Sequence, residues 1–291
     1  MTHLRNVPAP AKLNLFLHVL GRRDDGYHLL QTVFRFIDLA DTLHFARRDD
    51  GRIARVNHVE GVPAHECLTV RAAQALQRAT GCRFGVDIEV EKRIPAGGGL
   101  GGGSSDAATV LLALNRLWAT GLSRAQLMEL ALPLGADVPV FVFGHNAFAE
   151  GIGEALQAVR LPARWYVVVQ PAAHVSTATV FGAPELTRDT TPVKMLDFSS
   201  SAFLFHEGAG PEAGSGSVGS GSFGRNDLEP VVFNRFPMVA LARQLAQQAV
   251  ARTDAQGGAH VRMSGSGACL FIECVSRQHA LAIQAEIAAT I

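Results

Sequence analysis

A glycine-rich stretch is the part of the sequence whose residue types and spacing most directly indicate chemistry. Its members are Pro95, Ala96, Gly97, Gly98, Gly99, Leu100, Gly101, Gly102, Gly103, Ser104 and Ser105. The six glycines allow backbone N–H groups to converge on an anion without obstruction by side chains. A helix beginning at the end of the stretch would add its unpaired N–H groups and the positive end of its dipole. The pattern therefore predicts a phosphate-binding loop, and the periodic segments on both sides disfavour a flexible linker.

The spacing of this loop differs from two familiar nucleotide-binding patterns. A Walker A loop requires Gly-x-x-x-x-Gly-Lys-Ser/Thr, and Ser104 stands where the lysine is required. Gly97, Gly99 and Gly102 match the dinucleotide fingerprint Gly-x-Gly-x-x-Gly. However, the preceding strand alternates with acidic residues, whereas the first strand of a dinucleotide-binding sheet is buried on both faces. Neither an ordinary P-loop nor a dehydrogenase is therefore favoured.

Hydrophobic periodicity predicts the elements that must position this loop. Strands are predicted at residues 11–20, 30–39, 84–90, 165–169 and 268–274. Helices are predicted at residues 66–80, from 104 or 105 to about 118, from a capping box at 123 to 135, at about 236–251 and after 276. Because these elements mix without regular strand–helix–strand alternation, we expect an α+β fold with layered mixed sheets and helices. Residues 206–224 are nearly all glycine, serine and small residues, which predicts a flexible surface insertion, with an active-site lid as the alternative.

The first predicted strand carries polar side chains with a possible role in chemistry. Lys12 and Asn14 alternate with leucines, and period-2 alternation is typical of a strand with one buried face. Both residues therefore share one strand face, from which they can point into the same site. The pair Asp25-Gly26 then predicts the turn into the next strand.

Composition limits the classes of function. The chain has 291 residues, of which 48% are hydrophobic and 18% charged, and its formal net charge is zero. Nucleic-acid-binding proteins normally carry a basic excess, so no nucleic-acid partner is expected. No apolar run approaches the ~20 residues that span a bilayer, so no membrane partner is expected and the protein is predicted to be soluble and cytoplasmic. The 11 histidines form no common zinc-ligand spacing, which disfavours a built-in metal site.

Several short motifs carry a resemblance to a known protein family. They are residues 9–15 (Ala-Pro-Ala-Lys-Leu-Asn-Leu), the loop at residues 95–105 and residues 263–268 (Met-Ser-Gly-Ser-Gly-Ala). Together they resemble the N-terminal motif, the ATP loop and the third glycine-rich motif of the kinases that include galactokinase, homoserine kinase and mevalonate kinase. Residues 25–28 (Asp-Gly-Tyr-His) and 135–139 (Gly-Ala-Asp-Val-Pro) are similar to one branch of that family, whose acceptor carries a cytidine diphosphate group.

The resemblance implies a two-domain small-molecule kinase. Residues 1–158 would form the ATP-binding domain and residues 159–291 the C-terminal domain, with the active site in the cleft between them. ATP would be the phosphoryl donor, and the acceptor would be a small molecule with a cytidine diphosphate handle and a methylerythritol unit, phosphorylated on its tertiary 2-hydroxyl. Mg²⁺ would be carried mainly by ATP phosphates and water, with the Ser105 hydroxyl as a candidate ligand. A kinase of the same family for another alcohol and a non-catalytic nucleotide-binding module remain as alternatives.

The same resemblance implies roles for residues beside the reacting hydroxyl. Asp137 would accept the hydroxyl proton, a contribution of about 10²–10⁴-fold. Lys12 would pair with Asp137, keep its carboxylate ionised and offset charge on the transferring group. Asn14 would hold a substrate hydroxyl. From the residues alone, Asp137 would equally suit a helix cap and Lys12 a solvated strand position.

Four further residues are implied for the cytosine end of the acceptor. Tyr27 would stack on the base and His28 would form a hydrogen bond with it. Phe181 occupies the position of the opposing aromatic ring, and Thr177 lies nearby in the sequence. For Phe181 and Thr177, ordinary core packing is the alternative.

Overall fold

The structure is a computed structural model that describes residues 1–59, 67–194, 225–254 and 258–290. Its strands are β1 (His3–Arg22), β2 (His28–Arg48), β3 (Ile53–Arg55), β4 (Gly85–Glu91), β5 (Ala147–Glu150), β6 (Ala155–Ala158), β7 (Trp165–Val169), β8 (Val261–Met263) and β9 (Leu270–Cys274). Its helices are α1 (Leu68–Thr80), α2 (Gly102–Leu117), α3 (Arg124–Ala131), α4 (Val138–Phe143), α5 (Thr177–Phe181), α6 (Glu229–Arg235), α7 (Pro237–Thr253) and α8 (Arg277–Thr290). The predicted insertion at residues 206–224 lies outside the described residues.

Two sheets organise the described chain. A 6-stranded sheet follows the order β3-β4-β2-β5-β6, and β1 pairs with the long strand β2. A 3-stranded sheet follows the order β7-β9-β8. Every pairing is antiparallel except that of β3 with β4, which is parallel. This confirms the predicted α+β fold. The division at residue 158 stays a prediction, although the first sheet ends at Ala158 and the second begins at Trp165.

Each sheet has its own apolar core, and β1 contributes to both. Leu43 of β2, Ile88 of β4 and Leu111 of α2 belong to the first core. The second core joins β7 and β9 to helices α7 and α8, and it also receives Leu17 and Val19 of β1. Burial of these apolar surfaces is the main favourable contribution to folding. β1 therefore runs between the two layers. Within the described ranges, no helix is long and apolar enough to cross a bilayer.

The prediction that residues 11–20 form a half-exposed strand was wrong about burial. Lys12 and Asn14 are 2% and 3% exposed, because protein covers both faces of β1. A β-bulge also interrupts the alternation, since Asn14 pairs with Phe34 whereas Leu17 pairs with Thr32. Two residues of β1 therefore oppose one residue of β2, and the side-chain phase changes at this point. The bulge places Leu17, rather than Phe16, on the cleft side with Lys12 and Asn14.

Two helix boundaries differ from the sequence prediction: the helix predicted to end at Gly135 ends at Ala131 and continues as a 3-10 turn over Leu132–Leu134, and the helix after the glycine loop begins earlier. The capping box of Ser123 and Gln126 and the left-handed Gly81 after α1 are both confirmed. However, α2 begins at Gly102 rather than at Ser104 or Ser105. The glycines after the left-handed turn at Gly101 adopt helical dihedral angles, although their low helix propensity indicates a loop. The helix N-terminus therefore lies closer to the centre of the glycine stretch than predicted.

Asp227 joins β1 to the second layer, and its removal should destabilise the fold. Its buried carboxylate accepts hydrogen bonds from the Val19 backbone N–H at 2.8 Å and from the Thr190 hydroxyl at 2.6 Å. Asp227→Ala leaves a buried N–H without a partner, so the free energy of unfolding should fall by about 1–3 kcal/mol. Thr190→Val, which keeps that N–H paired, should cost less. Urea unfolding of both variants tests this, and equal losses would contradict it.

Candidate active site

A cleft of about 1360 Å³ lies where β1, the glycine loop, the segment after β8 and helix α5 meet. All of the side chains predicted for the site outside the glycine loop line this cleft. They are Lys12, Asn14, Tyr27, His28, Asp137, Thr177 and Phe181. The first and last of these residues, Lys12 and Phe181, are 169 positions apart in the sequence. Long-range packing rather than local sequence therefore assembles the site.

The glycine loop turns its carbonyl groups into the protein. Four successive carbonyl oxygens, from Gly97 to Leu100, accept hydrogen bonds from other segments at 2.9 to 3.2 Å. The donors are the backbone N–H groups of Ala268, Cys269 and Lys12 and the hydroxyl of Ser264. The opposite side of the loop lines the cleft, where the first N–H groups of α2 have no intrahelical partner. This orientation suits an anion such as a nucleotide phosphate.

Two glycines of the loop are required by both conformation and space. Gly99 and Gly101 have φ angles of 72° and 73°, in the left-handed region. A Cβ on Gly99 would lie 2.0 Å from the carbonyl oxygen of Ser264. A Cβ on Gly101 would lie 2.8 Å from the Phe141 ring and 3.2 Å from Cε of Lys12. At these two positions the loop lies so close to the Ser264 backbone and to the Phe141 and Lys12 side chains that only glycine fits.

Lys12 and Asp137 form an ion pair at the base of the cleft. Nζ of Lys12 lies 3.1 Å from Oδ2 of Asp137 and donates a hydrogen bond of 2.5 Å to Oδ1 of Asn14. The amide of Asn14 in turn donates to the Thr32 hydroxyl at 2.9 Å, which fixes its orientation. The Lys12 side chain is 3% exposed, whereas that of Asp137 is 37% exposed, so the carboxylate reaches the open cleft.

Asp137 holds the N-cap position of α4, as the sequence allowed, but its side chain makes no capping hydrogen bond. Its carboxylate is therefore not used to terminate the helix, which was the structural alternative to a catalytic role. A carboxylate that is oriented by an ammonium group and open to the cleft can accept a proton from a bound hydroxyl.

An aromatic pocket occupies the region beyond the β1–β2 turn. Tyr27 is 57% exposed, whereas the His28 ring is buried and lies 5.0 Å from the Phe181 ring, centroid to centroid. Burial lowers the pKa of His28, and the positive charges of Arg188 and Arg22 lower it further. His28 is therefore neutral at physiological pH. A neutral imidazole beside the Phe181 ring suits an uncharged, planar ligand group.

Comparisons with known proteins agree on one family of kinases. The model of the GHMP kinases N terminal domain matches residues 68–145. The 4-diphosphocytidyl-2-C-methyl-D-erythritol kinase of Bordetella parapertussis is 59% identical over 287 residues, which are 99% of this chain and 88% of the relative. A crystal structure of 4-(cytidine 5'-diphospho)-2C-methyl-D-erythritol kinase superposes on this structure with a TM-score of 0.73 and a sequence identity of 35%. The alignment covers 97% of this chain and 95% of that chain.

This chain belongs to the 4-diphosphocytidyl-2-C-methyl-D-erythritol kinase family. It is therefore an enzyme of the kinase class, as predicted. The homoserine kinase of Cytophaga hutchinsonii is only 16% identical, and its TM-score of 0.66 over 100% of this chain and 90% of that one shows a shared fold alone.

Within this kinase fold, two members of the predicted loop point away from the cleft. Leu100 is 1% exposed and packs in a small core with Leu13 and Phe271. The Ser105 side chain is fully buried in α2 and does not line the cleft. The structure therefore does not bring the Ser105 hydroxyl to a position where it would bind a metal ion held by the nucleotide.

A charged cluster at the base of the loop was missed by the sequence analysis. Lys92, which directly precedes the loop, forms ion pairs with Asp41 of β2 and with Asp106 of α2, the latter at 2.8 Å. Asp41 also accepts the backbone N–H groups of Arg93 and Ile94. The cluster thus ties both ends of the glycine loop to the sheet. Charged residues on both sides of the loop were visible in the sequence, but nothing indicated that they meet.

Burial and pairing act in opposite directions on the ionisation of Asp106 and of Lys92. Burial raises the pKa of Asp106 to about 7, against the opposing effect of Lys92. Burial also opposes the charge of Lys92, but the charges and hydrogen bonds of Asp106 and Asp41 outweigh it and raise the pKa of Lys92. One lysine therefore balances two buried carboxylates, and Asp106 is the one that gains a proton near neutral pH.

Substitution of the left-handed glycine should weaken ATP binding more than substitution within the helix. Gly101→Ala strains the backbone by about 1–2 kcal/mol and pushes against Phe141 and Lys12, so we expect about tenfold weaker binding. Gly103→Ala is the matched control, because Gly103 is helical and its Cβ would lie 3.6 Å from the nearest atom, on Leu68. Calorimetric titration of ATP into both folded variants measures the difference. Equal affinities would mean that the geometry of the loop does not govern ATP binding.

Asp106 should make stability depend on pH in a defined direction. Its folded pKa of about 7 lies above the ordinary aspartate pKa of 3.8, so the neutral carboxyl stabilises the fold fully below about pH 4. This contribution is lost as the pH rises towards 7. The Asp106→Asn side chain does not ionise. The unfolding free energy of the wild type should therefore fall relative to that of the variant between about pH 4 and 7. Above about pH 8 the two curves of unfolding free energy against pH should run parallel. Urea unfolding at several pH values tests this, and parallel curves throughout would refute the assignment.

Proposed function

We propose that this protein transfers the γ-phosphoryl group of ATP to the 2-hydroxyl of 4-diphosphocytidyl-2-C-methyl-D-erythritol, a step in isoprenoid precursor synthesis. The relative from Bordetella parapertussis carries the name of that kinase over nearly the whole chain. The observation that carries the proposal is the Lys12–Asp137 ion pair, which lies in one cleft with the glycine loop and the aromatic pocket. The residues proposed for proton transfer, for ATP binding and for acceptor binding thus adjoin one another in a single cleft. A location in the cytoplasm, where ATP is supplied, is part of the same proposal.

The donor end of the cleft is proposed to be the glycine loop. Its carbonyl groups are bound to the protein, which leaves the cleft side and the N-terminus of α2 for the phosphates of ATP. Mg²⁺ is a hard ion that prefers oxygen ligands, so we propose that it is held mainly by the phosphates and water and offsets their charge. The carboxylate of Asp137, which reaches the open cleft, is an oxygen donor compatible with such an ion.

The chemical step asks mainly for positioning and charge stabilisation. Asp137 is proposed to accept the proton of the 2-hydroxyl at its exposed carboxylate as the oxygen attacks the γ-phosphorus, while the bond from that phosphorus to the β–γ bridging oxygen breaks and ADP leaves. Lys12 holds that carboxylate in place, and its ammonium group is proposed to offset charge on the transferring group. Asn14, whose amide is oriented by Lys12 and Thr32, is proposed to bind a hydroxyl of the acceptor.

The acceptor end is proposed to bind the cytosine base. Tyr27 and Phe181 would enclose the base, His28 would form a hydrogen bond with it, and Thr177 would line the path towards the phosphates. Thr177 lies beside the third glycine-rich segment, with its hydroxyl 2.8 Å from that of Ser266. Binding energy gained at the base is remote from the reacting hydroxyl, and enzymes use such energy to orient the reacting centre. We propose that residues 1–158 and 159–291 form two domains that meet at this cleft.

A direct assay tests the proposed function. The purified protein is mixed with Mg-ATP and the cytidylyl acceptor, and both ADP and the phosphorylated product are quantified. Mevalonate and homoserine serve as alternative acceptors for kinases of the same fold. Turnover with either of these and none with the cytidylyl acceptor would contradict the proposal. ATP binding without turnover of any acceptor would favour a non-catalytic nucleotide-binding module.

Removal of either member of the ion pair should impair chemistry rather than donor binding. Asp137→Asn loses the proton acceptor and Lys12→Met loses the ammonium group, so each should lower kcat by at least ~10²-fold. The affinity for ATP should stay within a few-fold of the wild type. Asp49→Asn is a matched control, because that carboxylate is 78% exposed and pairs with Arg47 outside the cleft. Turnover near that of the wild type in either site variant would remove that residue from the mechanism.

A further inference from the structure

Arg188 holds the ring of His28 through one nitrogen atom. Nε of Arg188 donates a hydrogen bond of 3.0 Å to Nε2 of His28. Three further N–H groups of the guanidinium donate to backbone carbonyl oxygens of the same loop, those of Phe181, Ala183 and Leu186, at 2.8 to 3.0 Å. Arg188 is therefore fixed on all sides, and its contact with His28 is part of a rigid arrangement.

This contact determines which nitrogen of His28 carries a proton. A guanidinium group has donors but no acceptor, so Nε2 of His28 must accept. In the neutral imidazole the proton then lies on Nδ1, because one ring nitrogen accepts and the other donates. Burial and the charges of Arg188 and Arg22 lower the pKa of His28, which favours this neutral form. His28 thus offers the cleft a hydrogen-bond donor and no ring acceptor.

We propose that Arg188 is a positioning residue that makes the acceptor site specific for cytosine over uracil, by holding His28 with its proton on Nδ1. The inference rests on the proposed function. N3 of cytosine is an acceptor and pairs with Nδ1–H, whereas N3 of uracil carries a proton and meets a second donor. A buried donor that faces another donor loses its hydrogen bond, which is how polar sites reject close analogues.

The contact with Arg188 makes a preference for uracil unfavourable, and loss of Arg188 should relieve this penalty. A His28 ring freed from the guanidinium can place its proton on Nε2, which leaves Nδ1 as an acceptor for the N3–H of uracil. A single matched hydrogen-bonding edge discriminates between bases by about 1–3 kcal/mol, which corresponds to about 5- to 150-fold in kcat/KM. The ratio of kcat/KM between the two bases, rather than activity itself, is therefore the property that Arg188 should control.

The test compares three proteins on two acceptors. The acceptors are the cytidine and uridine diphosphate forms of the methylerythritol substrate, and the proteins are the wild type, Arg188→Met and Arg235→Met. Arg235 pairs with Glu185, in the same loop that Arg188 binds, and has no contact with His28, so Arg235→Met controls for a loosened loop. We expect the wild type and Arg235→Met to prefer the cytidine form by at least ~10-fold. In Arg188→Met this preference should shrink to about threefold or less. An equal loss on both acceptors would show that Arg188 is only structural and overturn the proposal.

A second measurement does not depend on turnover. The ¹⁵N chemical shifts of the His28 ring, assigned by comparison with His28→Gln, distinguish protonated from unprotonated nitrogens. We expect Nδ1 to be protonated in the free wild type and the proton to move at least partly to Nε2 in Arg188→Met. A proton on Nε2 in the wild type would overturn the proposal even if Arg188→Met failed to fold. If the wild type phosphorylated neither acceptor, the proposed function and the base preference would both be contradicted. The chemical shifts of the His28 ring test the contact with Arg188 independently of that function.

Discussion

The close approach of two glycine-rich backbones is the constraint on which the site depends. The carbonyl oxygens of residues 97–99 accept hydrogen bonds from the segment that follows β8, and Gly99 lies so close to Ser264 that no side chain fits between them. Gly265 of the same segment lies against Asn14, where a Cβ would be 3.1 Å from Oδ1. Because the segments contact through backbone atoms, their spacing is fixed by hydrogen bonds rather than by adjustable side chains. The cleft side of the loop is consequently preorganised for an anion.

Lys12 links this backbone arrangement to the chemistry. Its N–H group binds the carbonyl oxygen of Leu100, and its side chain reaches Asp137 and Asn14. A buried ammonium is costly unless it is paired and hydrogen-bonded, and both conditions are met here. The same residue therefore fixes the distance between the phosphate loop and the carboxylate. Phosphoryl transfer depends on the alignment of donor and acceptor. Because Lys12 contacts both the glycine loop and Asp137, a shift of the loop would also shift the ion pair.

Rigid supports also hold the acceptor end. β1 reaches from the ion pair at Lys12 to the turn before His28, and its bulge directs Leu17 to the cleft. Arg188 fixes the His28 ring from the opposite side, and the Lys92 cluster ties the loop ends to the sheet. The His28 ring and the ends of the glycine loop are thus held by neighbours that are themselves fixed by further hydrogen bonds and ion pairs, which is the usual requirement for a precise site.

The glycine loop, the α+β class, the capping of α1 and α3 and the shared face of Lys12 and Asn14 were predictable from the sequence, because each follows from local periodicity and backbone preference. Tertiary structure decided the rest. The burial of Ser105, the pairing of Lys92 with Asp106 and the contact of Arg188 with His28 depend on segments that are distant along the chain or on the covering of a helix face. Local patterns carry no information about which distant groups meet in a low-dielectric interior, and that meeting sets protonation and tautomer.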